Sequence, residues 1–114
     1  MTLPRSFPTW KIEDLGATVD YAAASTVSTT ALRAEGVNVV VFSFDTGEEL
    51  SEHTAAVPVL IQVLEGEVEM RTEGRTVQLR PGGLVHLPTR LPHAVRALAP
   101  TKMVLFMLTG QRVG

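Results

Sequence analysis

From Val37 onward the chain is a series of short apolar runs cut by turn residues, and no run carries the period of an amphipathic helix. Residues 37–44 are almost wholly apolar and rich in Val and Phe, which predicts a strand buried on both faces. Residues 59–64 repeat that character. Glu67-Val68-Glu69-Met70-Arg71-Thr72 and Thr76-Val77-Gln78-Leu79-Arg80 alternate cleanly, and Thr72-Glu73-Gly74-Arg75 between them reads as a hairpin turn. Pro81-Gly82-Gly83 marks another reversal, and residues 93–98 and 102–109, separated by Ala99-Pro100, supply two further strands. The pattern predicts an all-β domain in which two antiparallel sheets close into a jelly-roll barrel.

At 114 residues the chain is long enough for one core and too short for two. Residues 37–114 form the expected barrel. Residues 1–36 read as an N-terminal arm with edge strands, packed on the barrel or on a partner. In that arm Trp10-Lys11-Ile12-Glu13-Asp14-Leu15 has room for one helical turn, and residues 21–32 have the Thr, Ser and Val content of one or two edge strands. Tyr21-Ala22-Ala23-Ala24-Ser25 has the small residues of a signal-peptidase site. Lys11, Glu13, Asp14 and Asp20 occupy the place of an apolar h-region, so the segment is expected to be retained.

A net charge of −2 with scattered Lys and Arg offers no electrostatic footprint for nucleic acid. The longest apolar run, Met103-Val104-Leu105-Phe106-Met107-Leu108, is far short of a membrane-spanning helix, so no membrane partner is expected. With no cysteine, disulfides, thiolate catalysis and Cys-ligated zinc are excluded, and the cytoplasm is the expected address.

Two stretches carry the candidate chemistry. One runs from Gly47 through Ser51-Glu52-His53-Thr54-Ala55 to Gly66, the other from Gly82 through Pro88-Thr89-Arg90-Leu91-Pro92 to His93. Together they resemble the two motifs of the cupin superfamily, G-x5-H-x-H-x3-E-x6-G and G-x5-P-x-G-x2-H-x3-N. Gly47, His53, Gly66, Gly82, Pro88 and His93 stand at the family spacing. Ala55 replaces the second histidine, Val59 the glutamate, Arg90 a glycine and Ala97 the asparagine. The chain is similar to a compact single-domain bacterial subgroup in which a Glu-His-Thr/Ser-Ala segment commonly replaces His-x-His. The resemblance implies a jelly-roll fold and a metal site at His53 and His93, two of the family's four ligand positions.

Strand parity places His53 on the face of Ser51 and Ala55, with Leu50, Glu52 and Thr54 opposite. It places His93 with Val95 and Ala97, so both histidines point into the barrel mouth. They either bind a divalent metal, as the resemblance implies, or hydrogen-bond to backbone, water or ligand. Without a carboxylate at Val59, two neutral imidazoles make a weak site for Fe, Mn, Ni or Zn. Gln62 and His86 are the candidates for an extra donor, although parity turns both outward, and Glu52 is a weaker one. Ala55, Val59, Ile61, Val63, Met70 and Val95 then line an apolar ligand cavity, unless the barrel is filled by its own side chains. Arg90 beside His93 is the one polar departure, either solvated or placed to set a cation at the cavity rim.

These features predict a cupin that binds a small organic molecule and holds a metal loosely. If it is an enzyme, the resemblance implies metal-assisted oxygenation or isomerisation. The alternatives are a non-enzymatic sensing module and a structural dimeric domain. A homodimer is expected because residues 103–108 are apolar on both faces and a small barrel has one interior, so the other face needs cover from the first 36 residues or from a second chain.

Overall fold

The computed structural model describes residues 11–110. After a 3-10 turn at Leu15–Thr18 come nine strands: β1 (Thr26–Ala34), β2 (Val37–Phe44), β3 (Glu49–His53), β4 (Val59–Glu65), β5 (Val68–Thr72), β6 (Arg75–Leu79), β7 (Leu84–Leu87), β8 (His93–Ala97) and β9 (Thr101–Met107). They form a five-stranded sheet ordered β1-β2-β9-β4-β7 and a four-stranded sheet ordered β3-β8-β5-β6. All pairings are antiparallel. This is the jelly roll expected from the apolar runs.

The division at residue 36 falls in the turn between β1 and β2, which pair over nearly their whole length, so β1 is an edge strand of the barrel sheet itself. The helical turn in the arm begins at Leu15, with Asp14 as its cap accepting from the Gly16 amide. The Trp10 end of the expected turn lies outside the described residues.

Alternation along β2, β4 and β9 separates two apolar layers. Phe44, Val59, Ile61, Val63 and Met103 face the interior, where they meet Val68, Met70, Val95 and Ala97 of the other sheet. Val39, Val41 and Val104 face outward, under Val19 and against Leu15, Leu32 and Phe106. The chain's own N-terminal segment therefore covers much of the outer face of β9. Polar contacts clasp it there. Lys102 Nζ donates to the Gly16 carbonyl at 2.6 Å, Ser43 Oγ to the Asp20 carbonyl at 2.8 Å, and Tyr21 hydroxyl to Glu65 Oε1 at 2.7 Å. Partial burial, then the Glu65 carboxylate, pushes the Tyr21 phenol well above its ordinary range.

Two of the motif glycines have a visible backbone reason. Gly66, between β4 and β5, has φ +86°, and a Cβ there would run into the Pro100 carbonyl and Thr101. Gly47 has φ +84°, and its amide donates to the Ala97 carbonyl at 2.8 Å, closing the β2–β3 connection onto β8.

Candidate functional site

The two histidines meet across neighbouring strands. Leu50 of β3 pairs with Val95 of β8, and His53 pairs with His93. Three steps along β3 thus span two along β8, so one extra residue bulges out of β3 between Leu50 and His53. Strict alternation puts Leu50 on the face opposite His53. The bulge corrects that parity and returns both to the face shared by Val95 and His93. Leu50 packs against the inner core, and the His53 and His93 rings lie 4.4 Å apart between centroids, tilted by 58°. His93 is 2% exposed, whereas His53 is open to solvent, so the pair runs from the interior to the mouth.

Both rings are fixed by the same local device. His53 Nδ1 donates to the Ser51 carbonyl at 2.8 Å, and His93 Nδ1 donates to the Leu91 carbonyl at 2.9 Å. A carbonyl only accepts, so the neutral rings carry their protons on Nδ1 and keep the Nε2 lone pairs free. Two oriented imidazoles side by side suit one ligand atom or one ion. The same fixing of the distal nitrogen through Nδ1 is found at histidine metal sites.

The donor set does not extend to a resident metal. Val59, at the family's glutamate position, is buried at 1% among apolar side chains. Gln62 pairs with Leu84 and Val104, and His86 with Leu60, on the outer face of the five-stranded sheet, away from the histidine pair. Glu52 is exposed in the bulge. Among the described residues no group of three or more His, Cys, Asp or Glu is placed to hold a metal ion. Two imidazoles without a carboxylate do not fit a tightly bound divalent cation.

The open space also differs from expectation. Val59, Ile61, Val63 and Val95 are each 1% exposed and belong to the packed core, where Phe44 and Met103 fill the space between the sheets. Ala55 packs at the edge of that core. Of the apolar positions expected to line a cavity, Met70 does so. It contributes to a cavity of about 230 Å³ between edge strands β6 and β7, which also takes in Thr72, Arg75, Val77, Val85 and Leu91. Arg75 belongs to neither histidine motif. The two-residue turn after Thr72 and the alternation Arg75, Val77, Leu79 are the signal that would have found it. Arg90 lines none of the described cavities. It is exposed, and its amide donates to the Ala55 carbonyl at 2.8 Å. Two larger grooves, lined in part by residues 12–16 and by residues 21–23, follow the N-terminal segment outside the barrel. No helix among the described residues is long and apolar enough to cross a membrane.

Comparison with known proteins agrees with this architecture. A cupin superfamily protein from Desulfitobacterium hafniense superposes with a TM-score of 0.79 at 21% identity, over 94% of this chain and 98% of that one. An RmlC-like cupin from Desulfovibrio desulfuricans gives 0.79 at 27% identity, over 89% of this chain and 98% of that one. Salicylate 1,2-dioxygenase from Pseudoaminobacter salicylatoxidans gives 0.71 at 16% identity, over 77% of this chain and 27% of that one, so an enzyme is among the neighbours in fold. No curated protein matches the chain. The family model for the cupin domain matches residues 40–109, more than half of the sequence, and the chain belongs to the cupin family.

Proposed function

We propose that this cupin binds a small organic molecule at the barrel mouth, with His53 and His93 as its polar anchors. The observation that carries the reading is the pair of imidazoles fixed through Nδ1, 4.4 Å apart, at the border between packed core and solvent. Two free Nε2 atoms beside apolar surface match the usual design of small-molecule sites, which are mostly apolar with few oriented polar groups. An aromatic or aliphatic ligand with one oxygen anchor fits such a site better than a sugar or nucleotide, which needs many partners. In the neutral state each Nε2 accepts a hydrogen bond from a ligand hydroxyl, and a protonated ring donates one instead.

A fragment screen by thermal shift tests the reading. Hits are expected to lose at least tenfold in affinity with His53→Ala or His93→Ala and to be blocked by Ala55→Phe, which adds bulk at the edge of the core. Arg71→Ala, on the outer face of β5, should leave them unchanged. Hits indifferent to both histidines would overturn the assignment and favour a structural domain.

Metal-assisted oxygenation or isomerisation is the second reading, favoured by the free Nε2 pair. A bound divalent ion supplies Lewis acidity toward a ligand oxygen. His53 and His93 would be its protein donors, and with no third one the ion is held weakly. Elemental analysis of tag-free protein should find metal that dialysis against chelator removes and that either His→Ala variant abolishes. Stoichiometric metal retained by the single variants would contradict this reading.

A further inference from the structure

We propose that Arg75 and the apolar gap between β6 and β7 form a carboxylate subsite, so that the ligand is a small acid with an apolar body. The cavity takes in neither His53 nor His93 and adjoins them through Leu91 and the Thr72–Pro92 hydrogen bond, so the inference rests on the reading that the barrel mouth binds a small molecule and that the same ligand reaches this gap.

Glu73 and Gly74 have φ values of 52° and 71°, the double positive φ of a type I′ hairpin turn, which sets Thr72 directly opposite Arg75. Met70 pairs with Val77 and Val68 with Leu79, and Met70 and Val68 are buried interior residues. Counting by twos from Leu79 and Val77, Arg75 starts on the inner face. Its side chain is delivered to the cavity. Arg71, by contrast, belongs to the outer face, beside Ala94 and Thr76.

Among the described residues Arg75 has no ion-pair partner, while Arg80 pairs with Glu67 and Lys102 with Glu65. Glu73 also borders the cavity, from the exposed turn, and makes no ion pair with Arg75. Thr72 donates its hydroxyl to the Pro92 carbonyl at 2.8 Å, which ties this end of β5 to the segment leading into His93. The rest of the wall is mostly apolar, with Met70, Val77, Val85, Leu87 and Leu91, and His86 of β7 also borders it. Val77 is 39% exposed, one of the few large apolar side chains left open to solvent, and a ligand seated in the gap would cover it.

A guanidinium presents a planar fork that matches a carboxylate bidentately, and the adjacent apolar wall strengthens the attraction by excluding water. A volume of about 230 Å³ holds on the order of eight non-hydrogen atoms at the ~30 Å³ each water takes in the liquid. The gap is open on its solvent side, so this volume is the part of a ligand that the wall can cover. A polyol acid would leave its hydroxyls unpaired against Met70, Val85 and Leu87.

Hexanoate and its neutral isostere hexanamide are the probes, titrated at pH 7 into nitrogen-15-labelled protein and followed by amide chemical shifts. The wild type is expected to bind hexanoate at least tenfold more tightly than hexanamide, with the largest shifts in β6, β7 and residues 88–93, and to lose that preference in high salt. Arg75→Gln should weaken hexanoate at least tenfold and leave hexanamide unchanged. Arg75→Lys should restore part of the preference, and Val77→Asp should weaken both probes. Equal affinity for the two probes, no hexanoate binding in the wild type, or a preference that survives Arg75→Gln would each overturn the subsite. Failure of the mouth reading itself looks different: neutral fragment hits would then leave the His53 and His93 signals unmoved.

Discussion

The backbone amide of Arg90 donates to the Ala55 carbonyl at 2.8 Å while Arg90 itself sits at φ +63°, a conformation suited to the glycine that the cupin motif has there. The bond ties the loop before His93 to the segment after His53. It is made by the backbone, so the side chain at position 90 adds strain without adding to the contact. A left-handed non-glycine residue costs about 1–2 kcal/mol, offset in part by the larger entropy that glycine loses on folding. Arg90→Gly is therefore expected to stabilise the protein by about 0.5–1 kcal/mol, a rise of a few degrees in Tm. Arg90→Ala, which removes the charge and keeps the strain, should give no such gain. Thermal unfolding of the two variants checks this.

Asp45 sets an acid limit on the β2–β3 corner. Its carboxylate accepts from the Ala24 amide at 2.7 Å and the Thr46 amide at 2.8 Å, and these bonds, the Ala24 one foremost, hold its pKa below the ordinary carboxylate range. The folded state thus favours the ionised form. The resulting stabilisation is fully present above the unfolded pKa and is lost as pH falls through the lower folded value. Asp45→Asn should lower Tm at pH 6 and narrow its difference from wild type as pH approaches 3. A difference independent of pH would show that the carboxylate's charge is not the relevant term.

The strands and the motif histidines were legible because both rest on local pattern. Residues 37–44 are apolar at nearly every position, and β2 is buried on both faces. The turn after Thr72 carries its own glycine. Side-chain direction in β3 was less legible, since alternation assumes regular pairing and the bulge between Leu50 and His53 adds a residue that composition does not mark. The extent of cavity was hidden for a different reason. Whether Val59, Ile61 and Val63 line a space or fill it depends on Phe44 and Met103 from distant strands, a property of packing that no single segment contains. Arg75 stands in no motif, and only strand parity counted from the turn after Thr72 places it on the inner face.

The outer face of β9, from which a homodimer was expected, is covered by the chain's own N-terminal segment. Val19 and Leu15 already pack over Val104, whereas Leu84 on the outer face of β7 is 55% exposed beside Gln62. We propose that a homodimer, the expected state of this chain, buries Leu84. Light scattering should give a dimer mass for the wild type and a monomer for Leu84→Glu, with little change in Tm at high dilution. A concentration-independent monomer in the wild type would contradict the proposal.

The central claim is that His53 and His93 present paired Nε2 atoms to one ligand, and histidine side-chain nitrogen-15 NMR tests it most directly. Above the imidazole titration range both rings should appear as the Nδ1–H tautomer, because the Ser51 and Leu91 carbonyls accept those protons. On addition of a screened ligand the Nε2 signals of both residues should move together. Nε2–H tautomers at His53 and His93, or a ligand that moves neither Nε2 signal, would contradict this assignment.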